Sequence, residues 1–166
     1  KQADEHTELI ATMIPEIVSG HLGSLILFSS WRQMFRVTDM LPPEFAAKVL
    51  SQGSLSKSEI IAQHKAQVDS EQNSVIFGLA SFAEGIDLPG RYCSHVVIAK
   101  IPFAVPDDPV GATLSEWIEA RGGNSFAEVM IPDATLRIVQ ACGRLLRTET
   151  DSGVITILDT RLVSKR

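Results

Sequence analysis

Only two cysteines, Cys93 and Cys142, occur in the 166 residues, far apart and without a CxxC pair. That scarcity excludes a disulfide framework, a zinc knuckle and a dithiol redox motif, and free thiols of a reducing compartment are the expectation. Long apolar runs are missing as well. The stretches at 94–101 and 154–158 are far too short to span a bilayer, so no membrane partner is expected. Residues 1–8 are polar and acidic with no apolar core behind them, which predicts no signal peptide and a cytoplasmic protein. Positive charge is in deficit, 15 Lys and Arg against 20 Asp and Glu, so any contact with a polyanion must be local. Phosphate-cradling sequence is absent too: there is no GxxxxGK[ST] and no Gly-Lys dipeptide, which disfavours a nucleotide site built by this chain alone. His6, His21, His64 and His95 lack metal-ligand spacing and read as surface or core, and no serine sits in a GxSxG elbow.

What is present is ordinary globular material, 45% hydrophobic and 21% charged, with no internal repeat or low-complexity tract. A chain of this length buries roughly two-thirds of its unfolded surface, enough for one core without a metal or disulfide staple. Short runs rich in Val, Ile, Leu and Phe at 24–28, 74–79, 95–101 and 154–158 read as buried strands, and 48–52 as a weaker fifth. Amphipathic patterns at 7–19, 30–40, 56–69, 109–120 and 132–147 read as helices. Ser56 followed by Glu59 has capping-box spacing, Asp133 suits a helix entry, and Pro15 should kink or end the first helix. Residues 102–109 and 121–125 read as loops. Strands alternating with helices predict an α/β three-layer sandwich on a mainly parallel sheet.

Two segments carry chemistry. In Gln140-Ala-Cys-Gly-Arg144-Leu-Leu-Arg147, helical spacing puts Gln140, Arg144 and Arg147 on one face, with Ile138, Val139, Cys142, Leu145 and Leu146 on the opposite, buried face. Guanidinium forks suit phosphate oxygens, whereas the plainer reading is a solvated basic face near a helix end. Gly143 costs about 1 kcal/mol in a helix interior and so suggests close backbone approach there. In Ser81-Phe-Ala-Glu84-Gly85-Ile-Asp87-Leu-Pro-Gly90, polar groups follow a predicted strand, where ligands of open α/β sheets gather. Gly85 and Gly90 permit ligand approach, and Glu84 and Asp87 can accept hydrogen bonds; the plainer reading is a turn with solvated carboxylates. Trp117 reads as a core residue of its helix.

The first segment resembles motif VI of superfamily 2 helicases, QxxGRxxR, and the second resembles motif V in the form SFxEGxDxxG. Leu25-Ile-Leu-Phe-Ser-Ser-Trp31 is similar to motif IV. Together the three resemble the iron–sulfur, XPD-like helicases, and within them the bacterial DinG branch, which the text at 74–109 and the terminal Ile157-Leu-Asp-Thr-Arg161 also resembles. The resemblance implies that residues 1–166 form one RecA-like second motor domain, without a Walker A of its own. It implies a monomer whose ATP, with Mg²⁺, is shared with a first motor domain; that domain also carries a four-cysteine 4Fe–4S cluster, which two scattered cysteines cannot hold.

Residue by residue, it implies that Arg144 and Arg147 are arginine fingers and that Gln140 senses the γ-phosphate. Glu84, Gly85, Asp87 and Gly143 fall to the nucleotide side, and Ser29, Ser30, Trp31 and Ser81 to single-stranded DNA. Base stacking by Trp31 competes with a place in the core. The expected activity is ATP-dependent 5′ to 3′ DNA unwinding by the full-length protein, with this domain inactive alone. The rival is a RecA-like binding or regulatory domain that hydrolyses nothing.

Overall fold

A computed structural model of the chain describes residues 2–103, 109–143 and 149–159. In chain order its elements are α1 (Gln2–Ile17), β1 (Gly23–Phe28), α2 (Trp31–Met40), α3 (Pro43–Ala46), β2 (Val49–Ser51), α4 (Lys57–Asp69) and β3 (Ser74–Leu79). They continue with α5 (Ala80–Ala83), a 3₁₀ turn at Gly90–Tyr92, β4 (His95–Ile98), α6 (Pro109–Ala120), a π-turn at Phe126–Met130, α7 (Ile131–Cys142) and β5 (Val154–Ile157). The strands form one five-stranded sheet in the order β2-β3-β1-β4-β5, and every pairing is parallel. Among the described residues no helix is long and apolar enough to cross a membrane.

Strand residues alternate between the two faces, and in β1, β3 and β4 both faces are covered. Ile26, Phe28, Val75, Phe77 and Val97 pack with Ile10, Ile14, Met34 and Val37 of α1 and α2. Leu25, Leu27, Ile76, Val96 and Ile98 pack with Ile60, Phe82, Ile86, Leu88 and Ala141 on the opposite side. Burial on both faces explains why the strands read as continuous apolar runs. Local signals set the helix starts. Ser30 Oγ accepts from Gln33 N to cap α2, and Ser56 with Glu59 closes a complete capping box on α4.

Several expected boundaries shift for identifiable reasons. β4 stops at Ile98 instead of continuing to Ile101, because the buried Asp159 carboxylate accepts from Ile101 N at 2.9 Å and draws the chain out of the ladder. α1 begins at Gln2 and ends at Ile17, two residues past Pro15. Its near end is tied down by an Asp4–Arg36 ion pair and by His6 Nε2, which donates to Leu158 O at 2.5 Å. The last helix is entered through a π-turn and closes at Cys142 with Gly143 as its cap; residues 144–147 of the expected helix lie outside the described residues. Trp117 is not core. It is 52% exposed under the Arg121 guanidinium, 3.8 Å from its ring centroid, because α6 turns Ile118 inward instead.

Two histidines tie down the amino-terminal ends of the strands. His64, in α4, bonds Ser74 Oγ at 2.8 Å through Nδ1 and donates from Nε2 to Tyr92 O at 2.6 Å, and burial holds its pKa below the usual value. His95 Nε2 bonds Thr156 Oγ1 at 2.8 Å while its Nδ1 is buried without a hydrogen-bond partner. Burial, with the adjacent His21, pushes the His95 pKa down to about 4. Both rings are therefore neutral in the fold but take a proton more readily once unfolded. Their contribution to stability is complete above about pH 6.5 and is lost as pH falls toward the folded values. Urea unfolding at pH 7 and pH 5 should show a loss on the order of 2 kcal/mol, reduced in His95→Gln. An identical free energy at both pH values would contradict the neutral, buried assignment.

Candidate functional site

The site builds from the carboxyl ends of β1, β3 and β4, which are neighbours in the sheet. The chain runs outward to β2, returns through β3 beside β1, and then crosses to β4 on the other flank, so the crevice opens where strand order reverses.

At the end of β3, Gly78 is required by close approach, since a Cβ there would lie 2.7 Å from the Phe82 ring folded back over it. α5 is a single turn, after which Glu84 is extended and Gly85 takes a left-handed φ of 73° that a side chain would strain. Phe82, Ala83, Ile86 and Leu88 are buried, while Ser81, Glu84 and Asp87 face outward. The apolar residues pin the segment and present the polar ones. Gln52, one residue past β2, accepts from Leu79 N at 2.8 Å through its side chain, and the Lys57 ammonium donates to Glu84 O.

α7 packs beside this segment through Ala141 and the half-buried Ile138. Gln140 and Arg137 of α7 close a cavity of about 20 Å³ with Ala80, Ala83 and Glu84, room for about one water. Glu84 and Gln140, distant in sequence, thus share one wall. The expected apolar face of α7 needs correction: Val139 is 60% exposed, whereas Ala134 and Ala141 are buried, and Ala141 packs into the core cluster of Leu25, Leu27 and Ile98. Gly143 is a helix end, with nothing nearer than 3.4 Å to the place of a Cβ, so no close approach accounts for it among the described residues. Arg144 and Arg147 lie outside the described residues.

A second recess, about 210 Å³, opens at the end of β1 between α1, α2 and Lys100. Ser29, Ser30, Arg32, Gln33, Arg36 and Lys100 line it, together with His6 and Asp4. Ser30 spends its hydroxyl on the helix cap, and Arg36 is paired with Asp4. Trp31 is elsewhere. It stacks on Phe35 at 5.5 Å and leans toward Gly53, 41% exposed, so it is neither core nor part of this recess.

Arg32, Arg36, Lys100, Arg137, Gln52 and Lys57 carry no motif that marks them in the sequence. The i, i+4 spacing of Arg32 and Arg36 is a usable signal for two of them. Lys100 becomes visible only through strand order. Neither cysteine is a nucleophile candidate: burial pushes the Cys93 thiol up to about 12 and raises that of Cys142.

A five-stranded parallel sheet with polar segments gathered at its reversal point is the architecture of a RecA-like domain. A solved XPD helicase shares this fold at a TM-score of 0.70 and 24% identity, over 93% of this chain and 28% of that one. The helicase C-terminal domain model matches residues 14–166, and the chain belongs to that family. It is 41% identical to the ATP-dependent DNA helicase DinG of Photobacterium profundum, over 99% of this chain and 24% of the relative. It is 37% identical to the ATP-dependent helicase DinG of Mycobacterium tuberculosis (strain ATCC 25618 / H37Rv), over 93% of this chain and 23% of the relative. The chain therefore spans about a quarter of the length of the curated relatives it matches.

Proposed function

We propose that this chain is the second motor domain of an ATP-dependent, 5′ to 3′ DNA helicase, a single unit over residues 1–166 that completes an ATP site with a first motor domain. The observation that carries this reading is the meeting of Glu84 and Gln140 at one cavity on the carboxyl edge of the sheet. Nucleotide-sensing and coupling segments must touch if ATP turnover is to move DNA. Gln140 orients the γ-phosphate and its attacking water, Arg144 and Arg147 neutralise the charge that develops in transfer, and Gly143 stands between them on the nucleotide side. Glu84, Gly85 and Asp87 relay the nucleotide state to the DNA side. Mg²⁺ and the phosphate-gripping loop belong to the first motor domain, as does a 4Fe–4S cluster. This chain's cysteines, one buried in the core and one at the end of α7, form no ligand pair for it. The full-length protein works as a monomer in the cytoplasm.

Single-stranded DNA follows Ser29, Ser30 and Ser81 across the strand ends. The recess beside Ser29 adds Arg32 and Lys100 as phosphate contacts, a local cationic patch on a chain of net charge −5. Outside the recess, Trp31 and Phe35 form an exposed aromatic pair suited to stack on a base for about 1–3 kcal/mol. The test is DNA binding by the full-length helicase as a function of salt. Arg32→Ala and Lys100→Ala should each weaken single-stranded DNA binding for all sequences and flatten the log–log salt slope by about 0.7. Unchanged affinity and slope in both variants would remove this recess from the DNA path.

A further inference from the structure

We propose that Lys57 is a positioning residue that clamps the turn carrying Glu84, Gly85 and Asp87, so that the stiffness of this turn is set from the neighbouring crossover helix. Lys57 opens α4 and is half-buried. Its ammonium donates to the main-chain carbonyl of Glu84 and stands 5.3 Å from the centroid of the Phe82 ring. The same nitrogen is 3.9 Å from the place where Gly85 would carry a Cβ.

The contact therefore falls where the single turn of α5 ends and the chain reverses through the left-handed Gly85. A helix end leaves carbonyls without intrahelical partners, and the Lys57 ammonium supplies a partner to one of them here. Across the reversal the main chain bonds from Ile86 N to Ala83 O at 3.2 Å. A charged donor makes a stronger bond to a carbonyl than a neutral one, and the Phe82 ring face attracts the same cation from a second direction.

The platform beneath Lys57 is rigid. The Ser56 and Glu59 capping box fixes the first turn of α4, while buried Ile60, His64 and Val68 fix the rest, with both His64 ring nitrogens bonded. Gln52 holds the start of the same segment through Leu79 N. The turn is thus gripped at both ends by side chains from the β2–α4 connection. Glu84 is held through its main chain by a residue that lies outside the cavity Glu84 shares with Gln140.

The consequence for turnover rests on the helicase reading above; the clamp itself does not. The test compares wild type, Lys57→Met and Lys57→Arg in the full-length helicase. Met keeps the aliphatic stem over Phe82 and removes the donor, whereas Arg restores a cationic donor. Amide exchange across residues 84–88 should accelerate about tenfold in Lys57→Met, with the thermal midpoint little changed. DNA-stimulated kcat should fall about tenfold, and Lys57→Arg should recover at least half of the exchange protection and of kcat.

Unchanged exchange would overturn the clamp. Faster exchange with unchanged kcat would overturn its link to turnover. A wild-type protein without DNA-stimulated turnover would overturn the helicase reading instead, and the exchange data would still decide the clamp. Should Lys57→Met fail to fold, Lys57→Gln against Lys57→Arg makes the same comparison, and the same outcomes support or overturn the clamp.

Discussion

Replacing Arg144 or Arg147 with alanine in the full-length helicase is expected to lower DNA-stimulated ATP turnover at least about a hundredfold, a floor below the usual loss of an arginine finger. The usual loss, about 10³ to 10⁵, corresponds to about 4 to 7 kcal/mol of barrier. The size follows from what the group does: a fork that cannot lose its proton meets charge that exists only as the γ-phosphoryl transfers. Lysine should rescue poorly, because a point charge does not reproduce two parallel bonds. DNA affinity should change little, since Gln140 at the head of the same motif shares its cavity with Glu84 and stands outside the recess lined by Ser29, Arg32 and Lys100. Steady-state turnover and DNA binding measured on the same folded variants check both parts. Near-normal turnover in both alanine variants would make this stretch the solvated basic face that its composition also allows.

The 166-residue chain alone is expected to fold and yet to hydrolyse no ATP, with or without single-stranded DNA. It has no phosphate-gripping glycine loop, and the cavity beside Gln140, about 20 Å³, is far below the roughly 300 Å³ at which small-molecule pockets begin. One wall of a cleft binds a nucleotide weakly. A calorimetric titration with ATP and a coupled turnover assay measure the two halves of this statement, and adding the first motor domain on the same polypeptide should restore turnover. Sustained hydrolysis by the clean isolated chain would overturn the two-domain site.

Much of the site is legible in the sequence, but unevenly. The segment from Ser81 to Gly90 falls at a strand end as expected, because its glycines and carboxylates directly follow an apolar run. The apolar face of α7 does not follow its periodicity: helical spacing names a stripe, whereas the wall the stripe meets decides its width and centre, and here Ala141 fits the sheet while Val139 faces water. Trp117 departs from expectation for the same reason, being a large apolar residue on a helix whose inward position belongs to Ile118. Lys57 and Gln52 carry no motif, since a lysine at a helix start and a glutamine after a short strand are commonplace until β2 and α4 are brought against β3.

By itself, the sequence determined the strands, the capped helix starts and the family, because apolar runs, Ser56 with Glu59, and ordered motifs are written in consecutive residues. Only the tertiary structure decided that Glu84 meets Gln140, that Lys100 joins Ser29 and Arg32 in one recess, and that Lys57 grips the turn after α5. Those meetings depend on the order β2-β3-β1-β4-β5, which is set by how whole layers bury their apolar faces against one another and which no local stretch of chain encodes.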